Sequence, residues 1–160
     1  MIELPAGVQH KILTRQNLWD LWETVRKFDR LFSDETRGDP IAFWENILKN
    51  AIVLETDDGG GILTLSNMKP GLRAEAHLTF WDHKLSPRIE LIRECLVWAF
   101  LSFDLYRIEV FIPALGHALR RVLKKIGFRE EGILKNRSWY EGQLIDTVLL
   151  AILREEIMEA

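Results

Sequence analysis

The residues with the most chemistry to offer lie between Glu75 and Arg88. A strand-like run ends at Trp81, the basic segment DHKLSPR follows, and a long amphipathic stretch begins at Pro87. Strand, loop and helix N-terminus is a common way to hold a phosphate, because the first turn of a helix leaves N–H groups without partners. Such loops usually contain glycine, which lets the backbone come close to the ligand. No glycine stands between Trp81 and Phe100. The segment therefore reads as a ligand loop of unusual composition or as a connector. Just before it, LRAEAHLTFW alternates strictly, so Glu75, His77 and Thr79 share one face of a strand.

These groups must be positioned by a chain of 160 residues, for which one domain (1–160) is the expectation. The net charge of −3 supplies no global field to attract nucleic acid. The longest apolar runs are far shorter than a bilayer span. MIELPAGVQHKIL lacks the basic-then-apolar pattern of a signal peptide, and the expected location is cytoplasmic. A single cysteine, Cys95, excludes a disulfide framework and reads as a buried inert thiol. His10, His77, His83 and His117 are scattered, so no metal site is expected.

Val8 to Leu13 alternates like a strand, and Thr14 to Leu31 has helical spacing with Thr14 as N-cap. Pro40 opens a second helix. Ala51 to Thr56 and Ile62 to Met68 read as a hairpin around DDGGG. Leu72 to Trp81, Tyr106 to Ile112, Phe128 to Lys135 and Gln143 to Leu153 read as strands, the last two around a turn at SWYEGQ. Pro87 to Phe103 reads as a helix, and so does Leu115 to Ile126, ended by Gly127. The order β-α-α-β-β-β-α-β-α-β-β predicts a mixed α/β (α+β) sheet with helices on both faces.

Three segments, DLYRIEV, LKKIGFREEGIL and EGQLIDTVLLAIL, carry a family resemblance. They resemble the GNAT superfamily of acetyl-CoA-dependent N-acyltransferases, and within it the RimJ/RimL-like branch. The resemblance covers about Leu72 to Arg154, which it marks as the cofactor-binding half, with the acceptor side N-terminal to it. It implies a mixed, mostly antiparallel twisted sheet of about six or seven strands. It implies acetyl-CoA as cofactor, with an amine acceptor that is a protein N-terminus or a small molecule. Relatives often form homodimers.

In that family a loop of pattern Q/R-x-x-G-x-G/A binds the pyrophosphate, and it maps here onto Asp82 to Arg88. Leu85 and Pro87 stand where glycines are expected, and Pro87 removes one N–H donor. Lys84 and Arg88 offer charge-assisted contacts in compensation, His83 a further donor, and Ser86 a helix cap. Relatives also show Asn-x-x-Ser where this chain has Gly116 and Leu119, leaving Arg120 and Arg121 to meet phosphate. The resemblance gives Leu78, Thr79, Phe80 and Trp81 the cofactor arm. It makes Glu75 and His77 candidate bases and Tyr140 a candidate proton donor to the leaving sulfur. The usual helix tyrosine has no counterpart in Leu115 to Ile126. An eroded loop also suits a second reading, a non-catalytic GNAT-fold binding or structural protein. Phage-encoded members resemble this chain in such a way, which would make it a virion or host-interaction component. Acidic Asp29, Asp34, Glu35, Asp39 and Glu45 suit either the attraction of a cationic amine or a solvated charged face. Trp19, Trp22, Phe28, Phe32, Phe43 and Trp44 read as core, as do Trp81, Trp98 and Trp139.

Overall fold

The computed structural model describes residues 2–28, 32–82 and 84–159. One seven-stranded sheet runs through the molecule. Its strands are β1 (Val8–His10), β2 (Ile52–Thr56), β3 (Gly61–Lys69), β4 (Arg73–Phe80), β5 (Arg107–Pro113), β6 (Arg129–Tyr140) and β7 (Gln143–Leu153). Their spatial order is β1-β2-β3-β4-β5-β7-β6. All neighbours are antiparallel except β4 and β5, which are parallel and need the crossover that α3 (Ile89–Ser102) supplies.

One core lies between the sheet and α3, α4 (His117–Ile126) and the short α5 (Arg154–Met158). Ile92, Leu96, Ala99 and Phe100 recur at helical spacing and are buried in it. Each larger side chain contributes about 1.5–3 kcal/mol on leaving water. On α4, Val122, Leu123 and Ile126 are buried, and Gly127 ends the helix at φ 125° with its N–H on Leu123 O and Lys124 O. The other face is covered by α1 (Arg15–Val25) and α2 (Pro40–Phe43), which package Trp22, Phe32 and Phe43 against Val53, Ile62 and Trp81. Thr14 caps α1 through a reciprocal pair with Asn17, and Asp39 caps α2. From Trp44 to Leu48 the chain continues as a π-helical turn.

Several bounds differ from the sequence reading. Helix α1 stops at Val25, because Arg26 and Lys27 turn away, and β1 is only three residues long. The SWYEGQ segment is mostly strand: β6 runs to Tyr140, and only Glu141 and Gly142 form the turn, both at positive φ. Trp139 is 47% exposed rather than core, and Trp19 is 49% exposed. Ser86 does not cap a helix. It opens a 3-10 turn (Ser86–Arg88), and neither that turn nor α3 has a side-chain cap. Cys95 is buried as expected, and burial pushes its thiol up to about 12. No described helix is long and apolar enough to cross a membrane.

Candidate functional site

The parallel pair β4–β5 is short. Its register runs through Arg73–Arg107, Ala74–Ile108 and Glu75–Glu109 and goes no further, although both strands continue. Beyond Glu75 they part, leaving a wedge in the sheet. Trp81 N–H donates to Gly60 O across β3–β4. Strand alternation then turns the N–H and C=O groups of Leu78 and Phe80 to the opposite edge, into the wedge. On β5, Ala114 N–H donates to Asp146 O, which by the same alternation turns the Phe111 peptide groups into the wedge from the other side. Unpaired strand edges of this kind are ready hydrogen-bonding partners for an extended ligand.

Two cavities meet at the wedge and share Phe32, Ser33 and Pro113. The first, of about 360 Å³, is walled by Leu78, Phe80 and Ile112 together with Gly116, His117 and Tyr140. It is largely apolar. A smaller basic pocket of about 210 Å³ adjoins it through Leu85 and Ala118, with Ser86, Pro87, Arg121 and Lys125 on its walls. The second large cavity, about 730 Å³, opens on the opposite face of the sheet and contains Glu75 and His77.

His77 is half-buried, and burial holds its imidazole below the usual range, partly offset by Glu75. The ring is therefore neutral near pH 7 and able to take a proton. Thr64 lies opposite His77 in the β3–β4 register, fully buried, and its Oγ1 has no hydrogen-bond partner among the described residues. Leaving a buried hydroxyl unpaired costs about 1–3 kcal/mol, so polarity is kept here against stability.

Arg88 departs from expectation. It is 5% exposed and turned away from the basic pocket. Its guanidinium meets Asp82 through both oxygens, Asp58 at 2.7 Å and the Lys84 carbonyl, and it lies over the Phe80 ring at 5.1 Å. These hydrogen bonds hold Asp82 low and bring Asp58 down to about 2. A Cβ on Gly60 would strike both Asp82 and Arg88, which explains a glycine between β2 and β3. Arg88 thus shapes the loop and is not available to a phosphate. Arg120 is committed too, donating to Ala114 O at 2.8 Å and meeting His117 Nδ1 and Glu130.

Lys84 is exposed with its N–H on Asp82, and its side chain belongs to none of the three cavities. Trp81 packs in the α1–α2 core and donates its ring N–H to Gly59 O. Thr79 is buried, opposite Ile62 in the β3–β4 register. Leu85 and Gly116 line the first cavity. His83 and Asp29 lie outside the described residues. The acidic residues proposed to draw in a cation have structural duties. Asp34 accepts from Glu141 N–H and Gly142 N–H, Glu35 accepts from Trp139 N–H, Asp39 caps α2 and Glu45 pairs with Lys49. Sequence reasoning missed Lys125. Its i, i+4 spacing from Arg121 was the available signal.

No family model matches the chain, and no curated protein matches it in sequence. Solved structures do. The spermidine N-acetyltransferase of Vibrio cholerae, in complex with CoA and spermine, superposes with a TM-score of 0.73 at 18% identity, over 96% of this chain and 99% of that one. A probable acetyltransferase gives 0.73 at 20% identity, with 97% of each chain covered. A mutant form of the Vibrio cholerae spermidine/spermine enzyme gives 0.72 at 17%, over 97% of this chain and 98% of that one. The chain has the GNAT fold. In GNAT terms the parted β4 and β5 are the splay of the central strands. The loop after β4 contains Leu85 and Pro87 and no glycine.

Proposed function

We propose that the chain is an N-acyltransferase that takes an acetyl group from acetyl-CoA and delivers it to a primary amine. The observation that carries this is the wedge. Two strand edges with free peptide groups separate a mostly apolar cavity with a basic annex from a polar cavity that holds a neutral imidazole. The residues present fit the cofactor. Leu78 and Phe80 offer wedge-facing backbone groups, and Ser86, Arg121 and Lys125 offer polar contacts suited to phosphate. When bound, acetyl-CoA supplies a thioester-activated acetyl group.

The chain's own residues supply position and protons. Glu75 stabilises an incoming ammonium on the acceptor side, and His77 takes the proton that an amine must lose before attack. The N–H groups of Leu78 and Phe80 are fixed donors for a polarised carbonyl in the wedge. Tyr140, on the wall of the first cavity, is the residue whose hydroxyl would donate a proton there. His77→Gln is expected to lower kcat by about 10²–10⁴, and wild-type kcat/KM should already be level at pH 7 because His77 titrates low.

A second reading, a binding protein without catalysis, is favoured by the loop itself. Leu85 and Pro87 occupy the glycine positions, and Arg88 is consumed by two carboxylates. Calorimetric titration with acetyl-CoA separates the two. Micromolar binding that Arg121→Ala/Lys125→Ala weakens supports the acyltransferase. No binding at millimolar cofactor leaves the binding protein.

A further inference from the structure

The polar cavity contains an uneven set of charges. Most of its charged and amide groups are already matched. Glu45 meets Lys49 at 3.1 Å, Glu35 accepts from Trp139 N–H at 2.9 Å, and Asn46 donates to Thr36 Oγ1 at 3.2 Å. Glu75 and Arg137 line the same cavity, and neither has an ion-pair or hydrogen-bonding side-chain partner among the described residues. The pocket therefore presents one free carboxylate and one free guanidinium.

Their placement sets a length. Glu75 stands on β4 beside His77, and Arg137 stands on the bulged stretch of β6, with β5 and β7 between them. Glu75 is level with Glu109 of β5, whereas Arg137 is level with Asp146 of β7 and Ala114 at the end of β5. An offset along the strands therefore adds to the three strand spacings and puts the two backbones on the order of 20 Å apart. Both side chains lean into the cavity they line, so the gap between their charges is shorter than that but still several bonds long.

We propose, resting on the acyltransferase reading, that the acceptor is a zwitterion of the ω-amino acid type. Its ammonium meets Glu75 and His77, and its carboxylate meets Arg137. Guanidinium and carboxylate match in two parallel hydrogen bonds, which an alkyl tail cannot offer. A second ammonium at that end would face Arg137 with like charge, which selects against diamines. The neighbouring enzyme was solved with spermine, a polycation, so the two acceptor sides would differ in this respect.

The test uses three ligands that share one alkylamine: ε-aminocaproate, hexylamine and hexamethylenediamine. Each is titrated into the full chain without cofactor and followed by calorimetry or ligand-observed NMR. ε-Aminocaproate should bind about tenfold tighter than either of the others, the scale of one hydrogen bond to a charged group. Arg137→Gln should bring it down to the level of hexylamine, and Glu75→Gln should weaken all three. Equal or tighter binding of the diamine, no binding of any of the three, or an unchanged order in Arg137→Gln would overturn the proposal. Acetyl-CoA is titrated separately. Its failure to bind would remove the acyltransferase reading while the ligand order still decides the acceptor chemistry.

Discussion

Arg88 and Arg121 flank the same loop, and they meet different environments. Arg88 follows directly on Leu85, Ser86 and Pro87 and is enclosed by Asp82, Asp58 and the Lys84 carbonyl. Arg121 faces those loop residues from α4, one turn from Lys125, with no carboxylate on it among the described residues. The same side chain is mortar in one place and an open hand in the other. What decides is the neighbouring carboxylates, so basic residues near a pocket cannot be counted as ligands until their own partners are known.

The largest expected effect comes from removing the enclosed cation. Arg88→Met should destabilise the fold by about 2–3 kcal/mol in urea unfolding, below the 3–5 typical of a fully buried pair because Asp58 is largely solvated. A loss under about 0.5 kcal/mol would mean the cluster is ornamental. The open pair should behave in the opposite way. Arg121→Ala/Lys125→Ala should leave unfolding within about 0.5 kcal/mol of wild type. The same double variant should lower acetyl-CoA affinity by about 10–100-fold, with a weaker salt dependence. A double variant that unfolds early would erase the contrast.

The smallest effect sharpens it through pH. Asp58 has its folded pKa at about 2, below the usual carboxylate value, because Arg88 donates to it. Its contribution is fully present above the unfolded pKa near 4 and is lost as pH falls toward 2. Wild type should therefore lose urea resistance over that window. Asp58→Asn should start about 1 kcal/mol or less below it at neutral pH and lose less across the window. Parallel pH curves for the two proteins would mean that Asp58 carries no linkage.

Much of the fold was legible in local pattern. The alternation of LRAEAHLTFW gave β4, the spacing of Ile92, Leu96 and Phe100 gave α3, and Gly127 marked the end of α4. Element order followed, apart from α5, which is a single turn and a half with no room for periodicity. Strand alternation was enough to put Glu75 and His77 on one face, where they line one cavity, whereas Gly116 was named only through the resemblance. Arg88 was misread because its partner Asp58 lies 30 residues earlier, in the β2–β3 turn, and because no local pattern shows that Asp82 turns back onto it. Asp34 and Glu35 were misread for the same reason: their partners in the β6–β7 turn lie more than 100 residues later.

The parting of β4 and β5 leaves two half-sheets that share the core under α3 and are also clasped at two ends. At one end are the three register pairs from Arg73 to Glu75, and at the other Asp34 and Glu35 grip the amides of the β6–β7 turn. Mechanically this is a frame braced at both ends and open in the middle. Each clasp also reaches the polar cavity, Glu75 from one and Glu35 from the other, so the stiffness of the opening is set by residues that wall it. Loosening the second clasp, by Asp34→Ala, should widen the gap and speed exchange of the Glu141 and Gly142 amides that it holds.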